Sequence, residues 1–86
     1  MTSGEAVRAD VRAWLCARVA ESTGRSADAV DIDLPIAQFG LDSVSALTVV
    51  TAAEDEFGIE LDPADLWDHP TVRALSERIR VLAENR

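Results

Sequence analysis

Apolar residues recur at intervals of three and four in three stretches of the 86-residue chain, which is the spacing of one helix face. The first stretch covers residues 3–23 and is followed by Gly24. The second covers residues 43–57 and is followed by Gly58, and glycine is the residue most often found just past a helix end. The third runs from about residue 72 to residue 83. The predicted apolar stripes are Val7, Val11, Trp14, Leu15 and Val19 in the first helix, Ala46, Leu47, Val50, Ala53 and Phe57 in the second, and Val72, Leu75, Ile79 and Leu82 in the last.

The connections between these stretches differ in length and composition. Residues 25–40 form a long one, in which residues 35–38 are predicted to make a single helical turn. Its apolar residues are expected to pin it onto the helices, and they are Val30, Ile32, Leu34, Ile36 and Phe39. Asp62 followed by Pro63 predicts the start of a short helix of one or two turns, because aspartate caps and proline fits the first helical position. The predicted fold class is therefore all-α: a small four-helix bundle with three longer helices, one short helix before the last, and a long loop between helices 1 and 2.

The second helix carries polar groups at both ends. Asp42 is predicted to be its N-cap, and Ser43 its first residue, with the hydroxyl exposed at the positive end of the helix dipole. Residues 54–56 are all acidic and lie at the other end, where each carboxylate opposes the dipole by roughly 0.3–1 kcal/mol. Such a run indicates a binding role, although an ordinary solvated surface is an equally simple explanation.

Composition restricts the function classes. A net charge of −8 argues against binding to nucleic acid or to an anionic membrane, and favours basic partner surfaces. The single cysteine, Cys16, excludes an intramolecular disulfide and fits a reducing compartment. No signal peptide is visible, and no apolar run approaches the ~20 residues of a membrane span. We expect one domain over residues 1–86, a monomer, located in the bacterial cytoplasm.

Catalytic and metal chemistry find little support in the sequence. Ser43 lacks the flanking glycines of a serine-hydrolase elbow, and His69 is the only histidine. Asp31 and Asp33 resemble the start of a calcium loop, but the glycine and glutamate that such a loop needs further on are missing. We predict neither an enzyme nor a metal site. Cys16 is interpreted as a small hydrophobic residue, since nothing near it in the sequence would lower its pKa.

The segment F-G-L-D-S at residues 39–43, opening an amphipathic helix with an acidic end, resembles the attachment site of acyl carrier proteins. The segment D-H-P-T at residues 68–71 resembles carrier domains of polyketide synthases in particular, and the resemblance covers nearly the whole chain. It implies that Ser43 is esterified by a 4′-phosphopantetheine arm, with Asp42 and Val44 beside it. The terminal thiol of the arm would hold acyl or polyketide intermediates as thioesters.

The same resemblance implies a set of partner proteins. They are a phosphopantetheinyl transferase, an acyl-loading enzyme (an acyltransferase or an acyl-AMP ligase), and a ketosynthase or other acyl-processing enzyme. The residues expected to face them are Leu41, Thr48, Thr51, Glu54 and Asp55. Ser45, Thr48 and Thr51 stand where the carriers of fatty acid synthesis have more acids, which favours a polyketide carrier.

Three alternatives remain open from the sequence. One is a helical interaction module without a prosthetic group, which would use Trp67 and the acidic face and in which Ser43 would only cap a helix. A nearer variant is a peptidyl carrier, although Leu41 stands where those proteins usually have glycine. The third alternative is a serine esterase that uses Ser43 and His69.

Overall fold

The computed structural model describes the backbone of residues 4–85 and the side chains of residues 11–85. The four helices are α1 (Gly4–Thr23), α2 (Ser43–Phe57), α3 (Pro63–Asp68) and α4 (Val72–Glu84). Two short 3-10 turns, Ala27–Ala29 and Ile36–Phe39, lie in the long connection. The all-α bundle with its short third helix is therefore confirmed. Ser3 and the side chain of Val7 lie outside the described residues.

Local capping groups explain where α3 and α4 begin. The Asp62 carboxylate accepts the Ala64 N–H at 2.8 Å, while the Asp65 carboxylate accepts the Asp62 N–H at 3.0 Å. This reciprocal arrangement satisfies backbone donors that a first turn leaves without helical partners. Thr71 caps α4 with a single bond, in which its hydroxyl oxygen accepts the Ala74 N–H at 3.1 Å. Both predicted helix starts are confirmed.

The deepest part of the core is formed by α1 and α4. Their almost fully buried side chains are Val11, Leu15, Val19, Val72, Leu75, Ser76 and Ile79. Trp14 packs edge-on against Phe57 of α2 with ring centroids 5.2 Å apart, which confirms its predicted packing role. Cys16 is half-buried against the same core, and burial raises the pKa of its thiol. It is a packing residue, as predicted.

The long connection is held down mainly by its apolar residues. Val30, Ile36 and Phe39 are buried, and Ile32 packs against the core, as predicted. The prediction for Leu34 was wrong, because its side chain is 41% exposed. Leu34 follows a tight turn in which its N–H donates to the carbonyl of Asp31 at 3.3 Å, and this turn leaves the side chain in solvent.

Backbone and charged groups also tie this connection to the start of α4. The Ile36 N–H donates to the Pro70 carbonyl at 2.7 Å, and the Arg73 N–H donates to the Ile32 carbonyl at 3.0 Å. The Arg73 guanidinium donates to both carboxylate oxygens of Asp33, at 2.6 and 3.2 Å. This bond lowers the pKa of Asp33. These bonds join the long connection to the first turn of α4.

The buried face of α2 is displaced from the predicted stripe. Its buried residues are Ala46, Val49, Val50 and Ala53. Leu47 was predicted to belong to this stripe, but it is 50% exposed, so that prediction was wrong. At 3.6 residues per turn, Leu47 lies about 100° around the helix from Ala46. It therefore stands at the edge of the buried face, on the side of α3.

Candidate functional site

A turn that ends at Gly40 leads into α2. Gly40 ends the second 3-10 turn with φ 86°, and its N–H donates to the Ala37 carbonyl at 3.2 Å. A Cβ atom at Gly40 would meet no other heavy atom within 4 Å, apart from its neighbours in the chain. The requirement for glycine is therefore the left-handed backbone conformation, which costs other residues roughly 1–2 kcal/mol. Leu41 follows Gly40 and packs against the core, so an apolar contact holds the segment that leads into α2.

The first turn of α2 presents an exposed serine. Asp42 is the N-cap, and its carboxylate accepts the Ser45 N–H at 2.8 Å. This bond lowers the pKa of Asp42, because it favours the charged form of the carboxyl. Ser43 is the first helical residue and its side chain is exposed. Both predictions for this turn, the N-cap and the helical position of the serine, are confirmed.

An apolar groove of about 200 Å³ lies beside the serine, between α2 and α3. Its lining residues are Ser43, Ala46, Leu47, Val50, Pro63, Leu66 and Trp67. A smaller cavity of about 30 Å³ lies next to it and shares Ala46, Leu66 and Trp67. Trp67 borders both spaces and is 65% exposed. Sequence reasoning missed the groove, which depends on the packing of α3, and named Trp67 only for the alternative interaction module.

The outward face of α2 is largely uncharged. Val44, 74% exposed, and Leu47 lie on it with Thr48, Thr51 and Asp55. Ala52 completes the lining of this shallow surface. The two threonines and Asp55 are exposed there, where the partner-binding prediction needs them. Leu41, from the same prediction, packs against the core instead of joining this face.

Glu54 is placed differently from its neighbour Asp55. It is half-buried, and its carboxylate accepts the Leu61 N–H at 2.9 Å. This contact joins the end of α2 to the link that leads into α3. Glu54 therefore has a structural contact of its own and lies away from the outward face, although it was predicted as a partner-binding residue.

Charge is unevenly distributed along the chain. Residues 26–72 contain none of the eight Lys and Arg residues but eleven of the sixteen acids. This segment includes α2, α3 and the groove. Within the described range, no three His, Cys, Asp or Glu side chains are grouped as a metal ion would require. No helix between residues 4 and 85 is long and apolar enough to cross a membrane.

A family model described as "Phosphopantetheine attachment site" matches residues 13–79, which contain all of the site described above. The chain belongs to the phosphopantetheine-binding carrier proteins. The predicted family and its cofactor, phosphopantetheine, are thereby confirmed. Proteins of this family are non-catalytic shuttles, so the prediction that the chain is not an enzyme also agrees with the match.

Relatives of the carrier include both acyl and peptidyl types. The chain is 34% identical over 76 residues to one subunit of the phenolphthiocerol/phthiocerol polyketide synthase of Mycobacterium tuberculosis. This match covers 88% of the chain but only 4% of the synthase polypeptide. A free-standing peptidyl carrier protein from Acinetobacter baumannii is 34% identical with a TM-score of 0.81, covering 92% of this chain and 96% of that one. The acyl carrier protein LipD of Actinoplanes friuliensis is 36% identical with a TM-score of 0.75, covering 100% and 96%. The carrier thus spans a small fraction of the curated synthases it matches.

Proposed function

We propose that Ser43 carries the 4′-phosphopantetheine arm and that the protein delivers acyl or polyketide intermediates to partner enzymes. The observation that carries this proposal is the exposed serine at the first position of α2, inside the region matched by the attachment-site model. An exposed hydroxyl is what a separate transferase needs, because the enzyme must bring its own donor up to that oxygen.

The surroundings of Ser43 fit a phosphodiester and its arm. Helix N-termini favour anions through their backbone N–H groups and the positive end of the dipole. Asp42 holds the first turn in shape through its bond to Ser45, and Gly40 sets the direction of entry. When attached, the arm supplies a terminal thiol on which the cargo is held as a thioester. The apolar groove next to Ser43 offers a surface along which a flexible tether can lie.

Acyl cargo is the variant that the sequence favours over peptidyl cargo. Leu41 stands where peptidyl carriers usually have glycine, and the curated relatives include polyketide synthases. The corresponding partners are a phosphopantetheinyl transferase, an acyltransferase or acyl-AMP ligase for loading, and a ketosynthase or a similar enzyme for processing. A tether makes each delivery effectively intramolecular, so the carrier needs no catalytic group of its own.

The attachment site is tested by intact mass after incubation with coenzyme A and a broad-specificity phosphopantetheinyl transferase. Ser43 Oγ forms a bond to the pyrophosphate phosphorus of coenzyme A that bears the pantetheine. The P–O bond of the pyrophosphate bridge breaks, the hydroxyl proton is lost, and adenosine 3′,5′-bisphosphate is released. We expect a gain of one arm in the natural protein and in Ser45→Ala, and none in Ser43→Ala. An unchanged mass in the natural protein would favour the interaction module, and modification of Ser43→Ala would move the site elsewhere.

The cargo is tested by tandem mass spectrometry of carrier purified from the cells that make it. We expect an acyl group without an α-amine on the arm. An aminoacyl or peptidyl group would overturn the acyl assignment and leave the carrier assignment intact.

A further inference from the structure

We infer that Arg78 is a positioning residue of this carrier: acting through Asp65, it fixes the start of α3 and thereby sets the width of the apolar groove beside Ser43. The groove is a property of the unmodified protein. Its consequence for the arm rests on the proposed attachment at Ser43, because an arm on that serine leaves the chain directly beside the groove.

The position of α3 depends on contacts at its two ends. The helix has only six residues, Pro63–Asp68, and a helix of this length is not stable by itself in water. Leu66 is its one buried residue, so packing holds α3 at a single side chain in the middle. Hydrogen bonds and ion pairs with the surrounding elements must therefore place the two ends.

The C-terminal end of α3 is held by the backbone. The His69 N–H donates to the Asp65 carbonyl at 2.9 Å and closes the last turn. The next residue, Pro70, accepts the Ile36 N–H at its carbonyl at 2.7 Å, which joins this end to the long connection. Neither bond uses a side chain, so a substitution in α4 leaves every donor and acceptor at this end in place.

The N-terminal end of α3 is held by side chains of both neighbouring helices. Asp65 accepts the Asp62 N–H at Oδ2, at 3.0 Å, and the Nε–H of Arg78 in α4 at Oδ1, at 3.3 Å. The Asp65 side chain is only 13% exposed and that of Arg78 38%, and partly buried pairs are screened less than surface pairs. From α2, the Glu54 carboxylate accepts the N–H of Leu61, the residue before the N-cap. The start of α3 is therefore the end that a side-chain substitution can release.

Release of this end affects the groove because α3 forms one of its walls. Pro63 lines the groove together with Leu66 and Trp67. Pro63 also borders the shallow surface on which Asp65 and Arg78 meet. The start of α3 thus carries both the ion pair and part of the groove wall. Without the pair, α3 can turn about its fixed C-terminal end, and the separation between Pro63 and α2 is no longer set.

The capping box keeps α3 helical without Arg78. The Asp62 carboxylate accepts the Ala64 N–H at 2.8 Å, and this bond and the one from the Asp62 N–H to Asp65 lie within α3 and its cap. Loss of Arg78 should therefore free the helix as a unit and leave its turns intact. This difference separates a positioning role from a role in forming the helix.

The test on the unmodified protein measures the orientation of α3 from the residual dipolar couplings of its backbone N–H groups. Arg78→Gln breaks the pair, and Arg78→Lys keeps a positive charge that can reach the carboxylate. Arg80→Gln is the matched control, since Arg80 pairs with Glu77 and Glu84 of its own helix. In Arg78→Gln we expect the α3 couplings to fall below the values that the other three helices predict. They should largely recover in Arg78→Lys and stay unchanged in Arg80→Gln.

Action through Asp65 is tested by combining two substitutions. Asp65→Asn removes the charge that Arg78 meets but keeps an amide oxygen that can accept the Asp62 N–H. Adding Arg78→Gln to Asp65→Asn should change the α3 couplings no further, because the pair is already broken. A full additional effect would assign Arg78 to another contact and overturn the inference. Loss of helical carbon shifts from α3 in Arg78→Gln would assign Arg78 to helix formation and also overturn it.

The protein that carries the arm tests the consequence for the attached group. In the natural protein we expect nuclear Overhauser contacts between the two methyl groups of the pantetheine and the Trp67 ring. These contacts should be lost in Arg78→Gln and kept in Arg80→Gln, while the contact between Trp14 and Phe57 persists in both.

The outcomes separate this inference from the proposed function. Unchanged α3 couplings in Arg78→Gln would overturn the positioning role whatever the arm does. Failure of Ser43 to gain an arm would refute the attachment site and leave the couplings of the unmodified protein as they are. Arm contacts with Trp67 that are absent from the natural protein, or equal in Arg78→Gln, would overturn the consequence for the arm.

Discussion

The helix pairs α1–α4 and α2–α3 differ in how far they bury their large hydrophobic side chains, although α2–α3 also buries Val49, Val50 and Leu66. In α1 and α4 the side chains of Leu15, Leu75 and Ile79 are almost completely buried. In α2 and α3, Leu47 and Trp67 remain in solvent beside the serine. The first pair therefore contributes the largest fully buried side chains of the described core, and the second pair leaves apolar surface in water beside Ser43.

Charge follows the same division. The arginines of α1 and α4 have carboxylate partners close by in several cases, such as Arg18 with Glu21 at 2.7 Å and Arg80 with Glu77 and Glu84. The segment that contains α2 and α3, residues 26–72, has no lysine or arginine. Exposed ion pairs contribute little to stability. The division therefore contributes little to the free energy of folding.

The largest expected contrast comes from removing one leucine from each helix pair. Leu75→Ala deletes a side chain that is 1% exposed and should lower the free energy of unfolding by about 2–5 kcal/mol. Leu47→Ala should lower it by less than about 1 kcal/mol, because half of that side chain is already in water. Urea denaturation followed by far-UV circular dichroism measures both. Equal losses would mean that α2–α3 bears as much of the core as α1–α4.

A smaller contrast is expected between the neighbouring acids Glu54 and Asp55. If both were merely solvated, removing either would slightly stabilise α2, because carboxylates near a helix C-terminus oppose the dipole. Glu54→Ala should instead destabilise the protein by about 1–2 kcal/mol, since the Leu61 N–H loses its acceptor. Asp55→Ala should change stability by no more than about 0.5 kcal/mol. Thermal and urea unfolding give the sign of each change.

Glu54→Gln is the control for this pair, because it removes the charge but keeps an oxygen that can accept the N–H. It should recover most of the stability lost in Glu54→Ala. A Glu54→Ala variant that is more stable than the natural protein would contradict a stabilising contact with Leu61. Glu54 would then be available for partner binding like the exposed acids.

The smallest expected effect is a pH dependence at the junction of the long connection with α4. Hydrogen bonding from Arg73 lowers the pKa of Asp33 in the folded state. A lowered carboxyl pKa stabilises the fold above the ordinary aspartate pKa of about 3.9, and this stabilisation is lost as the pH falls through the folded value. Arg73→Gln should therefore be less stable than the natural protein at pH 5–7, and the difference should shrink below about pH 4.

Urea midpoints between about pH 2.5 and 6 measure this difference. Asp33→Asn should show the same convergence, since it removes the other partner of the pair. A difference between Arg73→Gln and the natural protein that stays constant across this range would assign the effect to packing of the arginine stem and not to the ion pair.

The helix ends could be predicted from the sequence because their signals are local. Asp42, Gly58, Asp62 and Thr71 each act on backbone groups within a few residues, and the structure places each of them as a cap. The exposed position of Ser43 follows from the same local logic, because the residue after an N-cap begins the helix. Much of the fold and the central residue of the site were therefore predictable.

The sequence-based predictions that were wrong or incomplete concern residues whose surroundings come from distant parts of the chain. Leu47 lies at the edge of the α2 stripe, and whether such a position is buried depends on how closely α3 approaches it. Glu54 meets a backbone N–H seven residues later, which no helical periodicity reveals. Leu34 follows a local turn, but the connection that contains it is joined to α4 by the Asp33–Arg73 pair, forty residues apart in sequence. Each case required the tertiary arrangement.

The placement of the two tryptophans has an optical consequence. Trp14 packs against Phe57, and the Arg18 guanidinium lies 5.6 Å from the centre of its ring. Trp67 stands largely in water at the mouth of the groove. Indole emission moves to shorter wavelength when water leaves its surroundings. A carrier in which Trp14 is replaced by phenylalanine would therefore report, by the colour of its own fluorescence, each moment at which something covers Trp67.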